Sequence, residues 1–276
     1  MNSRTFRRTS STSGGNVKSI IRRVWRASRV SDEPCSVASG GVTEPASWDT
    51  DTLPQGDEKK AAVREMFDAI APRYDLVNRI MTFRLDVRWR RKTVRDLALP
   101  AGATVLDLAA GTGDLCIDLR EAGLVPISVD LSYGMLAADR SGAPRVQADI
   151  LNLPVPDDSV DGVTCGFALR NLVDLGAFFD ELARVVRPGG RIALLDVGVP
   201  RNKVLKFGND IYFGKVVPKI GAALSDAPAY RYLPKSVAYL PEPDEMVAML
   251  RTSGFADAKH ALLSGGLTQQ LTGTRS

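Results

Sequence analysis

The sequence predicts a doubly wound α/β domain: a mostly parallel seven-stranded sheet, with N-terminal helices ahead of it and a lid insertion within it. Three observations predict it. Apolar strand-like runs alternate with helical periodicity between residues 103 and 197, the pattern of a parallel sheet with helices on both faces. The run Val105-Leu106-Asp107-Leu108-Ala109-Ala110-Gly111-Thr112-Gly113-Asp114 passes from an apolar strand through a small-residue turn straight into a helix pattern. Acidic residues then close the next apolar segments, at Asp130 and Asp149.

In chain order, residues 1–56 are rich in Ser, Thr, Arg, Gly and Pro and lack a sustained apolar period. They read as a disordered basic extension ahead of one domain at 57–276. Within it, residues 20–26 (IIRRVWR) form a short basic amphipathic stretch. Three readings of the extension stand: an acid-poor organelle transit peptide, a weak membrane-surface anchor, or translated upstream sequence without function. From Asp57 to about Leu97 the spacing is helical, because Val63, Met66, Phe67 and Ile70 recur at i, i+3, i+4 and i+7. Pro72 interrupts that run, and a second helix surrounds Trp89. Strands are expected at 103–108, 125–130, 145–149, 160–166 and 191–197, and helices at 113–122, 132–139 and 174–186. Arg187-Pro188-Gly189-Gly190 is a turn into the fifth strand. The alternation stops after Pro200. A helix at 244–253 ends at Gly254, and strand-like runs at 256–263 and 267–274 predict a terminal antiparallel hairpin.

Composition excludes several classes of function. Hydrophobic content of 44% and charged content of 25% are ordinary for a globular domain, and no stretch reaches the ~18 apolar residues of a membrane span. Cys35, Cys116 and Cys165 have no paired spacing, so neither a disulfide framework nor a metal site is expected, and a reducing compartment is the natural setting. His260 is the only histidine and reads as a surface or packing residue, which rules out histidine triads and histidine metal clusters. Net charge is +4, but residues 1–31 alone contribute +8, leaving −4 for the rest. A nucleic-acid enzyme would carry its basic footprint on the domain.

Ligands of open α/β sheets bind beyond the carboxyl ends of the strands. Gly111, Thr112 and Gly113 end the first strand, Asp130 the second, Asp149 and Ile150 the third, Gly166 to Asn171 the fourth, and Asp196 lies near the end of the fifth. A dinucleotide turn wants a third small residue where Cys116 stands. Asp107 and Asp114 bracket the turn with negative charge, which suits a sulfonium and its ammonium better than a pyrophosphate. Asp130 follows Gly111 by 19 residues, near the ~20 expected for an acid on ribose hydroxyls. These features favour S-adenosylmethionine over NAD.

In that pocket Asp130 accepts from ribose, Asp149 accepts from the adenine amino group, Ile150 shields the ring, and Asp107 lies near the ammonium or bonds turn amides. The competing readings are a helix N-cap beside Ser132 for Asp130 and a loop carboxylate for Asp149. Arg170-Asn171 directly follows an apolar strand, where a guanidinium is costly to desolvate without a partner. Its fork suits a phenolate or carbonyl oxygen beside the methyl donor; a structural salt bridge at the sheet's rim is the alternative.

These runs, with Met66-Phe67-Asp68-Ala69-Ile70-Ala71-Pro72-Arg73-Tyr74-Asp75 plus Asn78, Leu169-Arg170-Asn171, Arg187–Gly190 and Tyr230-Arg231-Tyr232-Leu233, carry a specific resemblance. Over about residues 60–270 the chain resembles the UbiE/COQ5 family of quinone-biosynthesis C-methyltransferases, class I S-adenosylmethionine-dependent enzymes. The resemblance implies a Rossmann-like methyltransferase fold and donor contacts at Thr112, Asp130, Asp149, Ile150 and Gly166. It also implies methylation of a ring carbon of a polyprenylated quinol, with demethylmenaquinol slightly preferred over the ubiquinone precursor. The sequence departs from the family in three places: Gly166 replaces the usual Ser, Ala110 the first Gly of the turn, and Gly265–Leu271 the usual G-G-I-V-A-L-H. The last leaves the acceptor less defined than the donor. Methylation of another small phenolic acceptor, or regulation by cofactor binding without turnover, are the rival functions.

Carbon attack on a sulfonium needs an electron-rich ring, so the phenolic proton must go to, or be oriented by, Arg170, Asp196, Asp226 or a tyrosine. Arg170, with Asn171 beside it, is expected to stabilise the phenolate. Residues 200–240 hold Tyr212, Tyr230, Tyr232 and Tyr239 with Phe207, Phe213, Val216, Val217 and Ile220, which suits a lid over an isoprenoid tail. Tyr74, Asp226, Tyr230 and Tyr232 are the substrate-side candidates. The six cations Arg84, Arg88, Arg90, Arg91, Lys92 and Arg95 read as a solvated helix face, or alternatively as a contact to anionic lipid heads. The expected partner is a lipophilic quinol. A peripheral membrane contact and a homodimer are admitted, nucleic acid is not. The expected location is cytoplasmic or peripheral to the inner membrane face, and mitochondrial if the extension is a transit peptide.

Overall fold

A computed structural model describes residues 55–212, 236 and 239–276. The basic extension before Gln55, and Phe213, Val216, Val217, Ile220, Asp226, Tyr230 and Tyr232 of the expected lid, lie outside the described residues.

Seven strands form one sheet: β1 (Thr104–Leu108), β2 (Val125–Asp130), β3 (Arg145–Gln147), β4 (Val160–Gly166), β5 (Val186–Val197), β6 (Lys259–Leu263) and β7 (Thr268–Thr274). Their order is β3-β2-β1-β4-β5-β7-β6. The first five are parallel, and β7 pairs antiparallel with both β5 and β6. The terminal hairpin is therefore present, with its second strand against the parallel core. Strand order reverses between β1 and β4, which puts the topological switch point at the carboxyl ends of those two strands.

Period-two alternation sends each strand into two separate cores. Leu106, Leu108, Val163, Ile192 and Leu194 pack with Phe178, Phe179 and Leu182 of helix α6 (Leu175–Val185). Val105 and Ala193 face the other way, onto Val94 and Leu97 of α3 (Leu85–Leu97) and Leu119 of α4 (Asp114–Glu121). Phe178, Phe179 and Leu182 are fully buried, each contributing roughly 1.5–3 kcal/mol of apolar transfer. Short polar side chains start two helices: Asp174 accepts from Ala177 N–H ahead of α6, and Ser132 from Met135 N–H ahead of α5 (Tyr133–Ala138).

Four departures from the sequence reading have local causes. The helical region 57–97 breaks at Pro72, as expected, and breaks once more before the helix around Trp89. α1 (Gly56–Ile70) ends in a 3-10 turn at Ala71–Arg73, which contains Pro72, and α2 (Tyr74–Met81) ends at a left-handed pair, Phe83 and Arg84. The Arg187–Gly190 turn is absorbed into β5: the register with β4 shifts between Val160 and Gly162, and Gly189 N–H and Gly190 C=O bond Arg275 instead. A helix, α7 (Lys203–Ile211), occupies the region where the alternation stops. Two strands are shorter than expected, with β3 ending at Gln147 and β6 beginning at Lys259. Helix α8 (Pro243–Thr252) matches its expected position.

Candidate active site

The turn after β1 is shaped by backbone chemistry. Gly113 has φ +82°, and a Cβ there would lie 2.3 Å from Asp139 Oδ1, so only glycine fits between the turn and the loop after α5. Two non-glycine residues, Ala109 after β1 and Phe167 after β4, also hold left-handed backbone. Both lie at the switch point, and both line the two cavities that meet there.

The smaller cavity, about 110 Å³, is lined by Asp130, Ser132, Asp149, Ile150 and Asn171. The larger, about 420 Å³, reaches from Asp107, Thr112 and Asp114 to Arg170, Trp89 and the apolar side chains of α1, α2 and α7. Phe67, Tyr74, Ala109, Gly111, Gly166 and Phe167 line both. A Cβ built on Gly166 meets nothing within 4 Å, and its φ is ordinary, so neither packing nor backbone conformation demands glycine there.

Asp130 ends β2 with both carboxylate oxygens engaged: Gly111 N–H donates to Oδ2 and Ser132 N–H to Oδ1, each at 2.8 Å. The helix N-cap is Ser132 itself, so Asp130 braces the glycine turn against the start of α5. Burial raises its pKa while the amides of Ser132 and Gly111 oppose the shift. Asp149 ion-pairs with Lys60, and its Oδ1 accepts from Leu151 N–H at 3.0 Å. Ile150 is buried against the core and lines the smaller cavity.

The charges that bracket the turn are unequal. Asp114 faces Arg79 at 3.4 Å, Arg90 at 3.2 Å and Arg140 at 3.8 Å, so its charge is compensated and does not carry the electrostatic role expected of it. Among the described residues Asp107 has no cation. It bonds no turn amide either, accepting instead from Thr164 Oγ1 at 2.9 Å and Cys116 Sγ at 3.3 Å. Burial pushes it up to about 7, so a positive group beside it would relieve an uncompensated carboxylate. Such a set, the Asp107 and Asp130 carboxylates with spare lone pairs beside a glycine turn that lets a ligand approach closely, fits the amino-acid and ribose parts of S-adenosylmethionine.

Arg170 is buried and ion-paired with fully buried Asp196, whose Oδ2 also accepts the Arg170 N–H at 3.0 Å. Its Nη1 donates to Phe167 O at 2.7 Å and its Nε to Ser236 Oγ at 3.2 Å. The salt bridge at the sheet's rim is thus present, and the side chain still lines the larger cavity. Asn171 opens onto the smaller one, so the structure separates the two neighbours. The Tyr74 phenol is held above its usual pKa by desolvation, opposed by a hydrogen bond with Asn78 and the charge of Arg170.

Four polar residues of the N-terminal helices were not assigned a role from sequence. Lys59 is buried and donates to Arg170 O at 3.1 Å and Leu172 O at 2.8 Å, while its Nζ lies 3.4 Å from the Tyr239 ring centroid. Burial lowers it to about 8. Lys60 reaches Asp149. Asp68 accepts from Ser132 Oγ and from Gly134 N–H at 2.9 Å. Asp75 takes Thr112 Oγ1 and Arg140. Together they fasten α1 and α2 across the strand ends. The signal for Lys59 is its place on the buried stripe of α1 with Ala62, Met66 and Ile70, where an unpaired lysine has no solvation.

Half of the six-cation helix face is neutralised within the fold, while Arg84, Arg88 and Arg95 are exposed and make no ion pair among the described residues. Arg90 pairs with Asp86, Asp114 and Asp118, Arg91 with Asp118 and Glu121, and Lys92 with Asp96. His260 bonds Gln269 across the terminal hairpin. Among the described residues no helix is long and apolar enough to cross a membrane.

Residues 55–275 match the model of the ubiE/COQ5 methyltransferase family. The chain is 40% identical over 238 residues to a demethylmenaquinone methyltransferase of Roseiflexus castenholzii, covering 82% of this chain and 98% of that one. It is 38% identical over 230 residues to the ubiquinone/menaquinone biosynthesis C-methyltransferase UbiE of Geobacter sulfurreducens, covering 79% and 90%. A solved SAM-dependent methyltransferase from Thermotoga maritima shares the fold at a TM-score of 0.57 and 18% identity, over 77% of this chain and 99% of that one.

Proposed function

Since the chain belongs to the ubiE/COQ5 methyltransferase family, we propose that it transfers a methyl group from S-adenosylmethionine to a ring carbon of a polyprenylated quinol, demethylmenaquinol in preference to a ubiquinone precursor. The observation that carries this reading is the joined pair of cavities: the smaller holds Asp130 and Asp149, the larger sets Asp107 and Arg170 beside apolar side chains of α1, α2 and α7, and the two meet at Tyr74 and Gly166.

When bound, S-adenosylmethionine supplies an electrophilic methyl group on a sulfonium. Asp130 is assigned to the ribose hydroxyls, using the carboxylate lone pairs that Gly111 and Ser132 leave open. Asp149 and Ile150 are assigned to adenine, with Asn171 on the same side. Asp107, Gly111, Thr112 and Gly113 are assigned to the amino-acid end. Gly166 has no side chain to intrude where the cavities join, so the two ligands can come into contact there.

On the acceptor side, the charge of Arg170 favours loss of the phenolic proton, and the resulting phenolate raises electron density at the ring carbon. As the ring carbon takes the methyl, the S–CH3 bond breaks and S-adenosylhomocysteine leaves as a neutral thioether; loss of the ring hydrogen and reprotonation of the oxygen give the methylated quinol and one net released proton. Asp196 and Ser236 hold the guanidinium in place, so little reorganisation accompanies charge development. The raised pKa of Tyr74 keeps its hydroxyl a donor rather than a base. Asp226, Tyr230 and Tyr232 stay assigned to the acceptor by family resemblance. The test is a competition: reduced demethylnaphthoquinol and demethylbenzoquinol are offered together with S-adenosylmethionine, and the products are read by mass spectrometry. Ring methylation of the naphthoquinol in excess is expected. Transfer only to a non-quinone phenol, or binding without transfer, would overturn the reading.

A further inference from the structure

The larger cavity opens between two elements that leave large apolar side chains in solvent. On α2 and the turn after it, Leu76, Ile80 and Phe83 are exposed, Phe83 to 75%. On α7, Val204, Leu205 and Phe207 are exposed, Val204 to 78% and Phe207 to 69%. The two elements touch: the Phe83 and Tyr212 rings are 5.7 Å apart, and Tyr212 Oη donates to Met81 O at 2.8 Å. Phe83, Val204 and Leu205 also line the cavity, so this apolar surface is continuous with its wall. Phe83 reaches solvent from a left-handed backbone, a conformation that a bulky residue rarely adopts.

Cations border the patch. Arg84, Arg201, Lys203 and Lys206 are exposed and make no ion pair among the described residues; on the neighbouring helix Arg88 and Arg95 are likewise exposed and unpaired, while Arg90, Arg91 and Lys92 are paired. Residues 201–211 hold three basic side chains and one acidic. Exposed apolar side chains among uncompensated cations match the interface of a bilayer carrying anionic lipid, where the apolar groups enter the acyl boundary and the cations meet the headgroups. We infer that the outer faces of α2 and α7 dock on an anionic membrane surface, so that a polyprenylated ring enters the larger cavity while its tail stays in lipid. This inference rests on the quinol reading above and adds the partner surface to it.

The experiment has two arms. The full chain is sedimented with phosphatidylcholine vesicles and with vesicles containing phosphatidylglycerol, at low and high salt. In parallel it is assayed on a water-soluble short-chain demethylnaphthoquinol and on a long-chain one embedded in the anionic vesicles. Binding to the anionic vesicles alone is expected, weakening about tenfold or more in about 0.5 M salt. The variant Leu76→Ser with Lys203→Glu and Lys206→Glu changes no residue that lines a cavity. It is expected to keep its melting temperature and short-chain turnover, and to lose vesicle binding and long-chain turnover about tenfold or more. Equal binding to both vesicle types, or a variant that sediments like the parent, would overturn the inference. So would a lowered melting temperature, since the substituted side chains would then be packed against the chain itself. Absent short-chain turnover would count against the quinol reading, while the sedimentation arm still decides the surface.

Discussion

Asp196, the penultimate residue of β5, holds Arg170 twice, accepting its backbone N–H at 3.0 Å and its guanidinium. Backbone and side chain of Arg170 are therefore set by one fully buried carboxylate at the carboxyl end of the neighbouring strand. Removing one member of a buried pair leaves the other uncompensated, at a cost of about 3–5 kcal/mol. Arg170→Ala is thus expected to lower stability and turnover together. Arg170→Met with Asp196→Asn, whose side-chain oxygen can still accept a backbone N–H, is expected to recover most of the stability and none of the turnover, with cofactor affinity near that of the parent. Thermal unfolding with single-turnover kinetics separates the effects, and a stable double variant at full rate would remove Arg170 from the reaction.

Asp130→Ala is expected to weaken S-adenosylmethionine binding by a few kcal/mol, on the scale of about 1.5–3 kcal/mol for each hydrogen bond to a charged group. Part of that loss comes through the Gly111 and Ser132 amides, which lose their acceptor. Calorimetry measures it directly. An unchanged dissociation constant would place Asp130 outside the pocket.

The pH dependence centres on Asp107, raised from 3.8 to about 7 by burial. Between those values the folded protein holds a proton that the unfolded chain has lost, so this group's contribution to stability falls as pH rises from about 4 to about 7 and is level above. A bound ammonium favours the ionised carboxylate. Binding below pH 7 is therefore expected to expel a proton, and affinity to rise with pH up to about 7. Calorimetry in two buffers of different ionisation enthalpy counts that proton, and Asp107→Asn is expected to abolish it. Identical heats in both buffers would contradict an ammonium at Asp107.

At Gly166 a methyl group has room, so Gly166→Ala is expected to keep stability within about 0.5 kcal/mol. Gly166→Leu is expected to fold and bind cofactor poorly, because its side chain fills the junction of the cavities. Denaturant unfolding and calorimetry on both variants check this. Equal affinity in the leucine variant would show that nothing bound passes Gly166.

Strand ends and glycine turn were legible because their signals are local. Apolar runs of strand length, the Gly-Thr-Gly turn after β1 and Asp130 at the end of β2 predict where β1, β2 and β4 stop to within a residue. Helix α7 was less so, since its outer face carries Val204 and Phe207 and the apolar pattern does not point only inward. Lys59 and Asp75 were missed as site-bracing residues for another reason. Their partners, Arg170, Leu172, Thr112 and Arg140, are distant in sequence and become neighbours only when α1 and α2 close over the sheet.

By itself the sequence determined the parallel sheet, the strand ends that carry the site and the family, because periodicity and turn chemistry act over a few residues. Tertiary structure alone decided which charges remain active. Asp114 and Asp107 flank the same turn, yet three arginines satisfy the first while burial isolates the second. Charge compensation depends on distance through space and on access to water, and neither is written in the spacing of residues along the chain.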